Sequence, residues 1–235
     1  MLPVPALDLS VVVPVYGNAD TLRTLHERLV RALDGAALAF EVLFVDDASP
    51  DRSRAVLEEL ASSDPRVALL GLERNVGQQQ AVIAGLAQAR GAWVVVMDAD
   101  LQDPPEAILA LLAHGRLGYK AVFAGRRGAY ESPLRLLTSR LFKRLLSLLC
   151  GVPADAGIFV AMHRSLVERL LKMGGPKPFV VAMIGCAGLP MATLPVVRDV
   201  RPNGASAYST WGRIKSGWRG IAFVLAWKWQ KEWRP

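Results

Sequence analysis

Residues 93–106 read Trp-Val-Val-Val-Met-Asp-Ala-Asp-Leu-Gln-Asp-Pro-Pro-Glu, an unbroken apolar run from Trp93 to Met97 that stops at two acids, Asp98 and Asp100. A short, β-branched, non-alternating run of this kind is the pattern of a strand buried on both faces of a parallel sheet. Two carboxylates crowded at such a strand end repel each other, and a divalent cation relieves the repulsion. Hard oxygen ligands select Mg2+ or Mn2+, which keeps waters and takes substrate phosphates in its remaining positions. A solvated acidic turn is the other reading of the same spelling.

Working outward towards the amino terminus, the same apolar-then-polar punctuation repeats. Leu9-Ser-Val-Val-Val-Pro-Val15 reads as a buried strand ending in the turn Tyr16-Gly-Asn18, and Leu22, Leu25, Leu29 and Leu33 then recur at helical spacing up to Gly35. Phe40 to Val45 is a second strand, ending in Asp46-Asp47. Ser49 to Ser53 starts a helix whose inner face is Val56, Leu57 and Leu60. Val67 to Leu70 is a third strand, and Gln78 to Ala89 a helix of small residues closed at Gly91. Strand and helix alternate through the first hundred residues, which predicts an α/β fold: a mostly parallel sheet, doubly wound by right-handed crossovers and flanked by helices. Such sheets bind ligands beyond the carboxyl ends of their strands, where both acidic pairs fall. After residue 100 the expected elements are a helix over Pro105–His114, a strand over Ala121–Ala124 and a basic amphipathic helix from about Pro133 to Leu149. The domain reading is one catalytic unit, 1–210, with a nucleotide half (1–102) and an acceptor half (103–210), followed by a tail, 211–235.

Length and composition agree with one well-filled domain. The chain has 235 residues, 52% hydrophobic and 21% charged, with mean hydropathy +0.27, which excludes a disordered chain. No apolar run approaches the roughly 18 residues of a membrane span, the longest near the carboxyl end being Ile221–Trp227, and the amino terminus lacks a signal-peptide pattern. The expected location is therefore cytoplasmic. Cys150 and Cys186 form neither a disulfide framework nor a zinc pattern. No phosphate-cradling GxGxxG or GxxxxGK[ST] occurs, and no GxSxG. The scattered His26, His114 and His163 read as surface or capping residues. Of the net charge of +7, +5 falls between Trp211 and Pro235, where Trp211, Trp218, Trp227, Trp229 and Trp233 are interleaved with lysine and arginine. That is the composition of a helix lying at a lipid headgroup layer; a helix docked on the protein's own core is the competing reading, and a nucleic-acid partner is not expected.

Four ordered motifs carry a family resemblance: Val12-Val-Pro-Val-Tyr16, Val45-Asp-Asp-Ala-Ser-Pro-Asp51, Arg74-Asn-Val-Gly-Gln78 and Met97 to Glu106. Together they resemble the inverting glycosyltransferases of family two, which have the GT-A fold, and the last resembles the branch that loads sugars onto polyprenyl phosphate. The resemblance implies a nucleoside diphosphate sugar donor, UDP- or GDP-linked, with a nucleotide pocket of Pro14, Val15, Tyr16, Asn18, Asp46, Asp47, Asp98, Ala99, Asp100 and Gln102. Asp98 and Asp100 would hold the Mg2+ or Mn2+ and act in catalysis. Arg74 and Gln78 to Gln80 would reach the nucleotide or donor sugar, or serve only at the surface; helix capping is the other reading of Asp51.

The acceptor side carries the same resemblance. Asp155-Ala-Gly-Ile-Phe159 is similar to that branch's Asp-x-Gly-x-Phe segment and adds Asp155 to the catalytic set, although Val160 stands where an arginine is usual. Arg201 to Tyr208 resembles an Arg-x-x-Gly-x-Ser-Lys-Tyr loop, with Ala207 in place of lysine. Arg126, Arg127, Arg201, Ser206 and Arg213 are the expected acceptor-phosphate ligands. A hydroxyl acceptor needs a general base, and between Asp155 and Asp199 the only acid is Glu168. A phosphate monoester needs none, because its oxygen is already ionised near neutrality. The expectation is transfer to a polyprenyl phosphate by an enzyme peripheral at the cytoplasmic membrane face, with self-association through the apolar tail open. Two alternatives stand beside it: the same fold acting on a soluble saccharide or small molecule with Glu168 or Asp155 as base, and a noncatalytic nucleotide-sugar binder.

Overall fold

The computed structural model describes residues 7–127, 144–174, 177–199 and 220–227. Seven strands are ordered β3-β2-β1-β4-β6-β5-β7, with β1 Leu9–Val15, β2 Phe40–Asp46, β3 Val67–Gly71, β4 Trp93–Val96, β5 Ala121–Arg127, β6 Val160–His163 and β7 Met191–Val197. β6 alone runs antiparallel, to β4 on one side and β5 on the other. The helices are α1 Ala19–Leu33, α2 Ser53–Ser63, α3 Gln78–Gln88, α4 Ile108–Gly115, α5 at 144–150, α6 Arg164–Met173, α7 Val180–Cys186 and α8 at 220–227.

Every residue of β1 and β2 is buried, and successive side chains serve opposite layers. Val11, Val13, Val42, Phe44 and Val95 pack with the α1 leucines, Leu57 of α2 and Ile108 and Leu111 of α4. Val12, Leu43, Val45, Val94, Val96 and Phe123 pack on the other side with α3, α6 and α7. Leu22, Leu25, Leu29 and Leu33 are wholly removed from water, worth about 2 kcal/mol apiece by apolar transfer. The helix does not close at Gly35: a 3-10 turn follows, and the left-handed residue is Ala37, with φ 51°.

Two strands lie where the sequence offered no strand signal. β6 is four residues long, Val-Ala-Met-His, too short to show a period, and β7 contains Pro195, which cannot donate to a ladder. β7 tolerates that proline because it is the edge of the sheet. β6 has the larger consequence: because it is reversed, the segment entering it lies at the carboxyl edge of β4, and the helix leaving it lies at the amino edge.

Of the expected amphipathic helix over 133–149, only 144–149 falls among the described residues; there Leu146 is buried while Leu145 and Leu148 are exposed. In α8, Val224 is fully buried in the second layer and Leu225 is exposed, so one face of α8 packs on the domain. Trp211, Trp218, Trp229 and Trp233 lie outside the described residues. No helix among the described residues is long and apolar enough to cross a membrane.

Candidate active site

The carboxyl ends of β1 and β2 are laced together by backbone amides that need acceptors. The Asn18 side-chain oxygen accepts from Tyr16 N at 3.2 Å, Ser49 Oγ from Gly17 N at 3.2 Å, and Ser53 Oγ from Asn18 N at 2.9 Å. Asp51 caps two helices at once, accepting from Ala19 N at 3.1 Å and Ser53 N at 3.0 Å. Burial works against its charge, yet the amides and Ser53 win and hold its carboxyl below the usual range. The capping reading of Asp51 therefore holds, for two helices rather than one. Pro14 and Val15 are buried in β1, Val15 presenting its carbonyl to Asp47 N at 2.9 Å, and Tyr16 is the exposed member of the group.

Asp46 and Asp47 are almost fully buried. Asp46 accepts from Ser49 N at 3.1 Å and lies 3.8 Å from Arg54. Asp47 takes Val76 N at 2.7 Å and Gly77 N at 2.9 Å, one on each carboxylate oxygen. Gly77 has φ +89°, a conformation that side-chain-bearing residues rarely adopt, and it delivers the chain into α3. The first residue of that helix, Gln78, donates to Asp98 Oδ1 at 2.6 Å. Asp47 thus supports Asp98 through one turn of chain. Gln79 instead binds Val180 N at 2.8 Å and fastens α7, while Arg74 and Gln80 line a shallow depression beside this turn.

The Asp98–Asp100 turn is held from three further directions. The Ala99 carbonyl accepts from Thr21 Oγ1 at 2.6 Å, Asp100 Oδ1 accepts from Gln102 N at 3.1 Å, and Arg198 Nη2 lies 3.8 Å from Asp98 Oδ2. Leu101 follows with φ 61°, an unfavourable conformation for a branched side chain that this bracing sustains. Both acids are partly exposed at the carboxyl edge, whereas Ala99 between them points into the core. Two hard oxygen donors of this kind suit a divalent ion, which would take water and phosphate in its remaining positions; among the described residues there is no group of three His, Cys, Asp or Glu that could hold one.

Across the same edge stands Asp155, on the segment that enters β6. Its Oδ2 accepts from Thr193 Oγ1 of β7 at 3.1 Å, and it occupies space that a side chain at Gly125 of β5 would fill. Arg126 and Arg127 close β5 at this edge, opposite Val196 and Val197. Val160 is fully buried between Val96 and Phe123, so its position is a core strand site. Glu168 lies on α6, whose first residue Arg164 donates to the Gly91 carbonyl ahead of β4, and therefore sits exposed at the opposite edge. The structure does not bring it to the site. Arg201, Ser206, Ala207 and Arg213 lie outside the described residues. Each histidine has a structural partner: His26 Asp64, His114 Tyr119, and His163 the amino end of α6, where burial keeps the ring's pKa low.

Three supports were not among the expected residues: Thr21, Asp103 and Arg198. Asp103 is buried and takes Arg198 Nε at 2.8 Å, and Arg198 Nη1 reaches Gln102 Oε1 at 3.4 Å. The signal available was the acid repeated at 98, 100 and 103, which demands a cation from elsewhere in the chain.

Residues 10–171 match the family described as Glycosyl transferase family 2. The chain is 35% identical over 218 residues to YkcC of Bacillus subtilis (strain 168), an uncharacterized glycosyltransferase, covering 92% of this chain and 68% of that one. It is 34% identical over 213 residues to an undecaprenyl-phosphate 4-deoxy-4-formamido-L-arabinose transferase of Pseudomonas fluorescens (strain Pf0-1), covering 89% of this chain and only 62% of that protein's length. Two solved structures share the fold at TM-score 0.67. One is a mannosyltransferase from Pyrobaculum calidifontis in complex with GDP-Man and Mn2+, with 22% identity over 94% of this chain and 64% of that one. The other is glucosyl-3-phosphoglycerate synthase from Mycobacterium tuberculosis in complex with Mn2+, UDP and phosphoglyceric acid, with 20% identity, covering 94% and 78%. The mixed sheet is thus the GT-A arrangement expected from the motifs. With the family match covering more than half of its length, the chain belongs to glycosyl transferase family 2.

Proposed function

We propose that this chain transfers a sugar, with inversion, from a UDP- or GDP-sugar to a polyprenyl phosphate at a membrane surface. The observation that carries the reading is the Asp98–Asp100 turn, held at the carboxyl edge of the sheet with Asp155 beyond it. The likeness to undecaprenyl-phosphate transferases over most of this chain supports the choice of acceptor.

A bound Mg2+ or Mn2+ would neutralise the diphosphate and favour its departure. Asp98 and Asp100 would hold that ion. Tyr16, Asn18, Asp46 and Asp47 would form the nucleotide end of the cleft over the β1–β2 edge, with Pro14 and Val15 as its floor and Gln102 beside the phosphates. Arg126 and Arg127, with Arg201, Ser206 and Arg213, would receive the acceptor phosphate. Such an acceptor brings its own ionised oxygen, so proton abstraction is not required of the protein. Of the two acids that a hydroxyl acceptor could use as base, Glu168 is exposed on α6 at the opposite edge, and Asp155 stands at the site. Asp155, half-buried against Gly125 and Thr193, orients the acceptor side. Exposed Leu145 and Leu148 on α5 and Leu225 on α8 give the domain apolar surface for the lipid.

Incubation with UDP- and GDP-sugars, Mn2+ and undecaprenyl phosphate in vesicles should yield a lipid-linked sugar, and Asp98→Ala/Asp100→Ala should abolish it. Equal product from the double variant, or turnover on a soluble saccharide without lipid, overturns the reading.

A further inference from the structure

We propose that Arg198 is a resident placeholder for the divalent ion: its guanidinium charge balances the Asp98 end of the acidic turn until a nucleoside diphosphate arrives, so that ion and nucleotide bind as a pair. This rests on the reading of Asp98 and Asp100 as the ion's ligands. Arg198 follows β7 and is nearly buried, with 12% of its side chain exposed. Its position is set by Asp103, whose Oδ1 accepts from Nε and Nη2, both at 2.8 Å. The other Asp103 oxygen, Oδ2, is buried with no hydrogen-bond partner, a costly arrangement that only a held countercharge sustains. Nη1 leans on Gln102 Oε1 at 3.4 Å, and the same Nη2 points towards Asp98 Oδ2 at 3.8 Å. That last separation is an ion pair beyond hydrogen-bond length, so Asp103 is the anchor and Asp98 the group whose charge is being balanced.

The neighbouring residue fixes the segment independently. Asp199 N donates to the Gln102 carbonyl at 2.9 Å, and its carboxylate meets Arg28 at 2.8 Å, which also forks onto Glu106 at 3.0 and 2.7 Å. The guanidinium therefore cannot drift from the acidic turn without releasing a second ion pair and a backbone bond. A fixed positive charge there opposes a lone dication and assists a diphosphate that brings more negative charge than the ion neutralises. The same residue must then weaken Mn2+ alone and strengthen the Mn2+–nucleotide pair, a coupling between two ligands. Arg198 is a positioning residue in this scheme.

Free Mn2+ measured by electron paramagnetic resonance, with no nucleotide and with saturating UDP or GDP, tests it. Arg198→Gln should bind Mn2+ alone about tenfold more tightly than the wild type, from loss of one nearby charge at partial burial. It should also lose about tenfold of the tightening that nucleotide confers. Arg198→Lys, which restores the charge, should return towards wild-type behaviour on both counts. A merely structural residue would not improve ion binding when removed. If Arg198→Gln does not fold, Arg198→Met carries the same test. Unchanged or weaker binding of Mn2+ alone by the neutral variants overturns the proposal while the metal reading stands. A wild-type chain that binds no Mn2+ with either nucleotide overturns the metal reading, and this proposal with it.

Discussion

Replacing Asp47 by alanine should cost both stability and ligand binding, through a chain of three contacts. The carboxylate is 2% exposed and accepts two backbone amides, Val76 N at 2.7 Å and Gly77 N at 2.9 Å. Hydrogen bonds to a charged acceptor contribute about 1.5–3 kcal/mol each, and the amides left behind in a partly buried turn recover only some of that from water. A loss of about 3–4 kcal/mol follows, or roughly 10 °C in melting temperature for a domain of this size. The turn at Gly77 sets the first residue of α3, and Gln78 holds Asp98 at 2.6 Å, so the acid loses its alignment as well. Asp47→Asn keeps one acceptor oxygen and turns an NH2 group on the other amide, and should fall between alanine and the wild type. Calorimetric melting reads the first effect, and the thermal shift produced by UDP or GDP with Mn2+ reads the second. An Asp47→Ala variant melting within about 2 °C of the wild type, well under the estimated loss, would refute the assignment of this carboxylate as a brace.

Two further outcomes follow from individual contacts. Gly125→Ala places a methyl group against the Asp155 carboxylate and the Thr193 hydroxyl; overpacking of this kind costs about 1–3 kcal/mol. Lipid-linked product should fall at least about tenfold, the effect of a roughly 1.4 kcal/mol rise in barrier; undiminished turnover in a folded variant would show that the position of Asp155 is immaterial. Asp64, bound by the Arg66 guanidinium, against which burial works, and by His26, has its carboxyl pKa well below the ordinary range. A depressed folded pKa means stability that is present above the unfolded value of about 3.9 and lost as pH falls through the folded one. Asp64→Asn should therefore be less stable than the wild type in urea at pH 7 and approach it at pH 3; a gap unchanged between the two would contradict the pairing.

The first hundred residues announced their structure because β1, β2 and β4 are buried on both faces and almost wholly apolar, Ser10 and Glu41 being buried as partners of each other and of Arg90, so the acids that close these runs mark strand ends. Asp46, Asp47, Asp98 and Asp100 were found that way. Beyond β4 the signal weakens for physical reasons. β6 is a four-residue strand whose pairing partners lie far away in sequence, and β7 is an edge strand, free to carry Pro195 and to leave alternate residues exposed. Arg198 is invisible to any local pattern, since its partner Asp103 lies on a different element. Asp51 shows the converse: its spelling beside Ser49 and Ser53 suits a single helix cap, and only the meeting of β1 and β2 lets it serve α1 as well. Glu168 was placed on the acceptor side by its position in the chain, and the reversal of β6 carries it to the far edge.

A division at residue 102 does not separate two structures. β4 pairs with β1 on one side and with β6 on the other, so the sheet is continuous from the nucleotide end to Asp155. The acidic turn between them is braced by Thr21 from α1, Gln78 from α3 and Arg198 from beyond β7. Of these three, the last arrives only after β5 and β7 have paired, because β7 meets the sheet solely through β5 among the described residues. A chain cut after α4 would keep the spelling of the turn together with Thr21 and Gln78, yet lack Arg198, which pairs with Asp103 and lies 3.8 Å from Asp98. The turn that looks most local in sequence is therefore the one whose charge balance depends on the whole sheet. Two of the braces on this turn come from α1 and α3, and the third from the chain that follows β7.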